Sequence, residues 1–114
     1  MRIVIAGGSG FIGRKLTELL HAQGHSVVIL TRKAKKSDGN IAYVQWLSEG
    51  SSPEKDIGYA DAFINLAGVS INDGRWSRMH QKQIYDSRMT ATDELLRIIF
   101  ALAEKPAVLI NASA

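Results

Sequence analysis

Between Ala6 and Arg14 the chain reads Gly7-Gly8-Ser9-Gly10-Phe11-Ile12-Gly13. Gly8, Gly10 and Gly13 satisfy a G-x-G-x-x-G spacing, while Gly7, Gly10 and Gly13 satisfy G-x-x-G-x-x-G. Either pattern lets the chain turn tightly, brings backbone amides close to an anion and lets the following helix pack closely on a strand. The ligand chemistry is then a pyrophosphate at a helix N-terminus, where unpaired N–H groups and the helix dipole both favour negative charge. A glycine-rich turn serving packing alone is the other reading. Position after a strand and before a helix favours the dinucleotide, which makes Gly7, Gly8, Ser9, Gly10, Phe11, Ile12 and Gly13 candidate cofactor-binding residues.

A second chemical signal stands roughly 20 residues further on, where an acidic residue would take the ribose 2′-hydroxyl of NAD. That place reads Thr31-Arg32-Lys33 and holds no carboxylate. A guanidinium at a strand end pairs instead with a 2′-phosphate through planar, charge-assisted hydrogen bonds. Arg32 therefore favours NADP over NAD, while Lys33, Lys35 and Lys36 read as a solvated loop.

These residues need elements to hold them. Ile3-Val4-Ile5-Ala6 and Val27-Val28-Ile29-Leu30 are short β-branched apolar runs, the pattern of parallel strands buried on both faces. Ile12, Leu16, Leu19 and Leu20 recur at helical spacing until Gly24, a residue suited to the left-handed position past a helix end. Ile41 to Trp46 reads as a third strand, Ser48 to Gly58 as a loop with one helical turn from Pro53, and Ala62 to Leu66 as a fourth strand. No Gly or Pro interrupts Ser77 to Lys105, and Ile84, Ala91, Leu95, Ile99 and Leu102 form one stripe of a long helix or helix pair ending at Pro106. Val108-Leu109-Ile110 is a fifth strand. Strands interleaved with helices predict an α/β fold, a Rossmann-type doubly wound parallel sheet, truncated after about the fifth strand.

With 114 residues, 46% of them hydrophobic, the chain is sized for one domain, 1–114. Fourteen basic and eleven acidic residues give a net charge of +3 without a long basic run, so neither nucleic acid nor a membrane is an expected partner. No cysteine is present, which excludes disulfides, thiol nucleophiles and zinc–thiolate sites and fits a reducing compartment. No apolar run approaches the roughly 20 residues of a membrane helix, and the chain is read as soluble and cytoplasmic. His21 and His80 lack partners at metal-ligand spacing, and His25, in a turn after Gly24, reads as a turn polar group rather than a base. Metal is not expected.

Arg88 interrupts an apolar stripe, since Ile84, Arg88, Ala91 and Leu95 follow one another at helical spacing. A charge so placed needs a carboxylate, a row of carbonyls or a bound anion. Trp76 with Arg75 either borders a substrate pocket or anchors the start of the long helix.

The glycine loop, Asn65-Leu66-Ala67-Gly68, Arg75-Trp76-Ser77, Ile84-Tyr85-Asp86-Ser87-Arg88 and Thr92 together resemble the extended short-chain dehydrogenase/reductase superfamily. More narrowly they resemble its atypical epimerase-like branch, often labelled nucleoside-diphosphate-sugar epimerase or cell-division inhibitor. The resemblance runs over essentially the whole chain. It implies that Leu66, Ala67 and Gly68 pass under the cofactor, that Thr31 and Arg32 hold the adenosine phosphate, and that Arg88 contacts the cofactor. Arg88 departs from the Asn common in the wider superfamily and agrees with the narrower branch.

The superfamily's catalytic serine near the end of the fifth strand has a likeness in Ser113, within Asn111-Ala112-Ser113-Ala114. Its Tyr-x-x-x-Lys pair has none, because Tyr43, Tyr59 and Tyr85 are followed four residues later by Leu47, Phe63 and Met89. The resemblance thus implies an N-terminal, NADP-binding part of an epimerase or oxidoreductase acting on a sugar nucleotide or other carbonyl substrate, with little turnover by this chain alone. A non-catalytic dinucleotide-binding or interaction module is the alternative. Self-association through the outer edge of the fifth strand is a third expectation.

Overall fold

The computed structural model describes residues 1–7, 10–33, 36, 39, 41–66 and 78–112, for 78–89 the backbone only. The elements run β1 (Arg2–Ala6), α1 (Phe11–Ala22), β2 (Ser26–Thr31), β3 (Ile41–Gln45), α2 (Pro53–Ile57), β4 (Ala62–Asn65), α3 (Arg78–Ala101) and β5 (Val108–Asn111). Every pairing is parallel and the sheet order is β3-β2-β1-β4-β5, a Rossmann-type doubly wound sheet of five strands.

Alternation along the strands divides the core in two. Val4, Ala6, Val28, Leu30, Val44 and Phe63 point to one face, where Ile57 of α2, Ala91, Leu95 and Ile98 of α3, and Leu102 just past it cover them. Ile3, Ile5, Val27, Ile29, Ala62 and Ile64 point to the other, against Leu16 and Leu20 of α1. The register Ile3↔Val27 and Ile3↔Ala62 keeps each set on its own side across three strands.

Helix α1 sits on the sheet through a different face from the one its leucines suggest. Gly13 and Thr17 are its buried residues, with Leu16 and Leu20 half-buried, whereas Ile12 and Leu19 are 68% and 61% exposed. Positions 13, 16, 17 and 20 form one stripe at i, i+3, i+4 and i+7. The missing side chain at Gly13 lets the helix backbone approach the strands, and the Thr17 hydroxyl is satisfied by donating to the Gly13 carbonyl at 2.7 Å.

The helix ends as Gly24 foretells. Gly24 adopts φ +86°, its N–H donates to the His21 carbonyl at 3.0 Å, and the His25 N–H donates to the Leu20 carbonyl at 3.1 Å. That paired closure satisfies carbonyls the helix would otherwise leave open.

Two further expectations shift. The long helix is a single one that stops at Ala101, ahead of Pro106, with Ile98 rather than Ile99 fully buried and Ile99 packed beside it. Strand β5 is not buried on both faces: Val108, Leu109 and Ile110 are 45%, 44% and 52% exposed. Among the described residues it pairs with β4 alone, at the edge of the sheet.

Candidate functional site

The sheet order contains one reversal. From β1 the chain winds outward through β2 and β3, then returns to place β4 on the other side of β1. Helices leaving the two halves cover opposite faces, so a crevice opens beyond the carboxyl ends of β1 and β4, where open α/β sheets bind ligands. The register Ala6↔Leu30 and Ala6↔Asn65 puts Gly7, Thr31 and Leu66 abreast at its mouth.

Gly7 ends β1 in the left-handed region at φ +81°, a conformation that favours glycine. The turn delivers Gly10, whose N–H donates to the Gly7 carbonyl at 3.4 Å, to the N-cap of α1. Gly10 supplies no side-chain cap. The first intrahelical bond is Arg14 N–H to the Gly10 carbonyl at 2.8 Å, so the amides of Phe11, Ile12 and Gly13 precede any helical acceptor. No acidic residue stands in the first turn to compete for them.

Among the described residues, a β-carbon on Gly10 would meet only the Gly7 carbonyl, at 3.8 Å, an ordinary contact. With φ at −75°, neither the backbone conformation nor the packing of the described residues requires glycine there. What the missing side chain leaves open is the approach to the α1 amides, as a closely bound pyrophosphate needs. Phe11 and Ile12 point to solvent, so from them only backbone N–H groups are offered.

On the β2 side, Thr31 is the last strand residue and Arg32 is exposed immediately after it. The Thr31 hydroxyl accepts the Lys33 N–H at 3.3 Å, a local turn that bends the chain away from the sheet, and the Thr31 carbonyl accepts the Trp46 N–H at 2.9 Å. On the β4 side the half-buried Leu66 donates its N–H to the Ala6 carbonyl at 2.8 Å. The backbone just past β4 is thereby locked beside the glycine turn.

Sequence reasoning missed a polar junction at the same rim. The buried Asn65 amide donates to Asn111 Oδ1 at 2.8 Å and lies 3.4 Å from Thr92 Oγ1, joining the ends of β4 and β5 to α3. Its signal was available: an amide side chain closing an otherwise apolar buried strand must find partners. The Ala112 N–H donates to the Asn65 carbonyl at 3.0 Å, extending the β4–β5 pairing by one residue.

Gly8, Ser9, Ala67, Gly68, Arg75, Trp76 and Ser113 lie outside the described residues. Arg88 is on α3, one turn before Thr92, and its side chain is likewise outside them. His25 stands at the opposite rim, where its Nδ1 is 3.1 Å from the Met1 ammonium.

Residues 3–114 match the family described as NAD dependent epimerase/dehydratase. The chain belongs to that family. It is 49% identical over its whole length to the epimerase family protein YfhF of Bacillus subtilis, of which it spans 38%. To the human epimerase family protein SDR39U1 it is 35% identical over 93% of its residues, spanning 34% of that protein. The crystal structure of human SDR39U1 (isoform 2) with NADPH superposes with a TM-score of 0.77 at 33% identity, over 97% of this chain and 36% of that one. MoeE5 in complex with UDP-glucuronic acid and NAD shares the fold, with a TM-score of 0.74 at 19% identity. The chain thus spans a little over a third of the length of YfhF and SDR39U1.

Proposed function

We propose that residues 1–114 are the NADP-binding segment of an epimerase or oxidoreductase acting on a sugar nucleotide or another carbonyl substrate. The observation that carries this reading is the glycine turn, placed at the sheet's reversal with the leading amides of α1 ahead of any helical acceptor, in a chain of the NAD dependent epimerase/dehydratase family. In this reading the N–H groups of Phe11, Ile12 and Gly13 take the pyrophosphate, with Gly7, Gly8, Ser9 and Gly10 forming the turn that admits it. Thr31 and Arg32 hold the adenosine ribose phosphate, Leu66, Ala67 and Gly68 floor the crevice, and Arg88 reaches the cofactor from α3. NADP bound there supplies reversible hydride transfer. Ser113 is the residue assigned to the reacting carbonyl, so that the substrate stands at the end of β5.

The human relative crystallised with NADPH supports the phosphorylated cofactor, as does the absence of a carboxylate at Thr31-Arg32-Lys33. The proposal includes a cytoplasmic location, in keeping with a cysteine-free chain. Among the described residues, no helix is long and apolar enough to cross a membrane.

Titration of the chain with NADPH and NADH, by nicotinamide fluorescence or calorimetry, tests the reading. Saturable NADPH binding is expected, and Arg32→Asp should weaken NADPH by roughly 10- to 100-fold, the scale of one or two charge-assisted hydrogen bonds. NADH should be little affected. No saturable binding of either dinucleotide overturns the proposal, and an unchanged NADPH preference in Arg32→Asp overturns the role of the guanidinium.

A second reading is a non-catalytic dinucleotide-binding or interaction module. It keeps the same cofactor site and differs in predicting no turnover by any longer chain that carries this segment. Self-association along β5 is a further part of the proposal, supported by the open edge and faces of that strand.

A further inference from the structure

We propose that Gln45 and Ser48, at the end of β3, are positioning residues for cofactor choice: they hold the Arg32 carbonyl and so fix the turn that presents the guanidinium to a 2′-phosphate. The inference rests on the NADP reading above and deepens it. The Arg32 carbonyl accepts from Gln45 Nε2 at 3.1 Å and from Ser48 Oγ at 3.1 Å. Two side chains, one from the last residue of β3 and one from the turn after it, thus converge on one main-chain oxygen of an exposed residue. Arg32 itself has left the sheet, since the last ladder pair is Thr31↔Gln45.

The chain adopts an uncommon conformation to bring Ser48 there. Leu47 lies between Trp46 and Ser48 at φ +53°, the only described non-glycine residue with positive φ. A bulky side chain rarely occupies that region unless its surroundings impose it. Here the Leu47 side chain packs against the core below α3, Trp46 is buried, and the reversal returns the Ser48 hydroxyl to the β2 end. That hydroxyl also lies 3.2 Å from the Trp46 carbonyl, so its one proton is shared between two acceptors on neighbouring strands.

A backbone carbonyl in solvent needs no protein partner, because water satisfies it. Two protein donors on one such oxygen therefore act on geometry more than on stability. They restrict rotation about the Arg32 backbone, and with the Lys33 N–H held by Thr31 Oγ1 the whole Thr31–Lys33 turn is clamped. A long cationic side chain launched from a fixed backbone loses less freedom on pairing with a phosphate than one launched from a mobile loop. The pyrophosphate grip, made by backbone amides of α1, does not pass through this clamp. The clamp therefore sorts NADPH from NADH without holding either.

The test compares Gln45→Met with Ser48→Ala, the double variant, Arg32→Ala and the unsubstituted chain, each titrated with NADPH and with NADH. Gln45→Met keeps the side-chain volume and removes the donor. The double variant is expected to weaken NADPH about fivefold, the scale of one net hydrogen bond, with NADH changed less than twofold and the far-ultraviolet dichroism intact. Gln45→Met combined with Ser48→Thr, which keeps a hydroxyl at position 48, should retain more of the preference than Gln45→Met combined with Ser48→Ala. Equal weakening of both dinucleotides, or an unchanged NADPH/NADH ratio while Arg32→Ala loses its preference, overturns this inference and leaves the cofactor reading standing. No binding by the unsubstituted chain overturns both.

Discussion

At the scale of single residues, Gly10 separates the demands of folding from those of binding. Its φ is accessible to any residue and a β-carbon there makes one ordinary contact among the described residues, so Gly10→Ala should fold. A methyl group set before the α1 amides should nonetheless weaken NADPH by about tenfold or more, because the glycine serves close backbone approach. Melting curves with and without NADPH check this: the apo transition should move by no more than a few degrees, while the stabilisation by cofactor largely disappears. A large apo shift would show that the glycine is structural instead. Gly7 and Gly10 were legible in the sequence because spacing alone announces a turn of this kind. The partners of Arg32 were not, because Gln45 and Ser48 lie more than a dozen positions away and meet it only once the β2–β3 register and the Leu47 reversal are known.

At the scale of elements, α2 is too short to persist unaided and depends on what it touches. Its Glu54 is bridged by Arg97 of α3 at 3.0 Å, and the same guanidinium also bonds Glu94 one turn away. The Arg97 hydrogen bond, aided by backbone bonding, holds the Glu54 carboxyl below its ordinary value of 4.5. Two carboxylates in turn make the Arg97 guanidinium harder to deprotonate. Because the folded Glu54 binds its proton less readily than the unfolded one, its stabilisation is complete above the ordinary value and fades as the pH falls through the lowered one. Glu54→Gln should therefore cost less than about 1 kcal/mol at neutral pH, as befits a solvent-exposed pair. The difference from the unsubstituted chain should shrink as the pH is lowered into the acid range; urea melts at neutral and at acid pH measure it, and an equal difference at both would remove the ion pair from the account.

Element types and order were legible from apolar runs and their punctuation, as with Gly24 closing α1. Burial faces were less so. Of the apolar pattern Ile12, Leu16, Leu19 and Leu20 in α1, Leu16 and Leu20 pack on the sheet while Ile12 and Leu19 are exposed, and the small residues Gly13 and Thr17 complete the buried stripe. Asn65 shows the converse, a polar residue placed inside by partners on α3 and β5 that are distant in sequence.

At the scale of the whole molecule, the two rims of the parallel sheet have different occupations. Because every strand runs the same way, the glycine turn, the Arg32 turn, Leu66 and the Asn65 junction all gather at the carboxyl rim. In the proposed self-association, the edge and apolar faces that β5 exposes among the described residues would pair with a second copy. Sedimentation velocity should show a concentration-dependent dimer, and Ile110→Lys should return it to monomer by placing a charge on that strand. A clean monomer at high concentration would remove self-association from the proposal. The amino rim is closed by other means: Arg2 stacks on Tyr59 and bonds the Ile57 and Tyr59 carbonyls, its N–H bonds Asp61, and Met1 caps His25. A tether attached at the first residue would consequently anchor the molecule by its back, with the crevice turned outward toward whatever solution flows past.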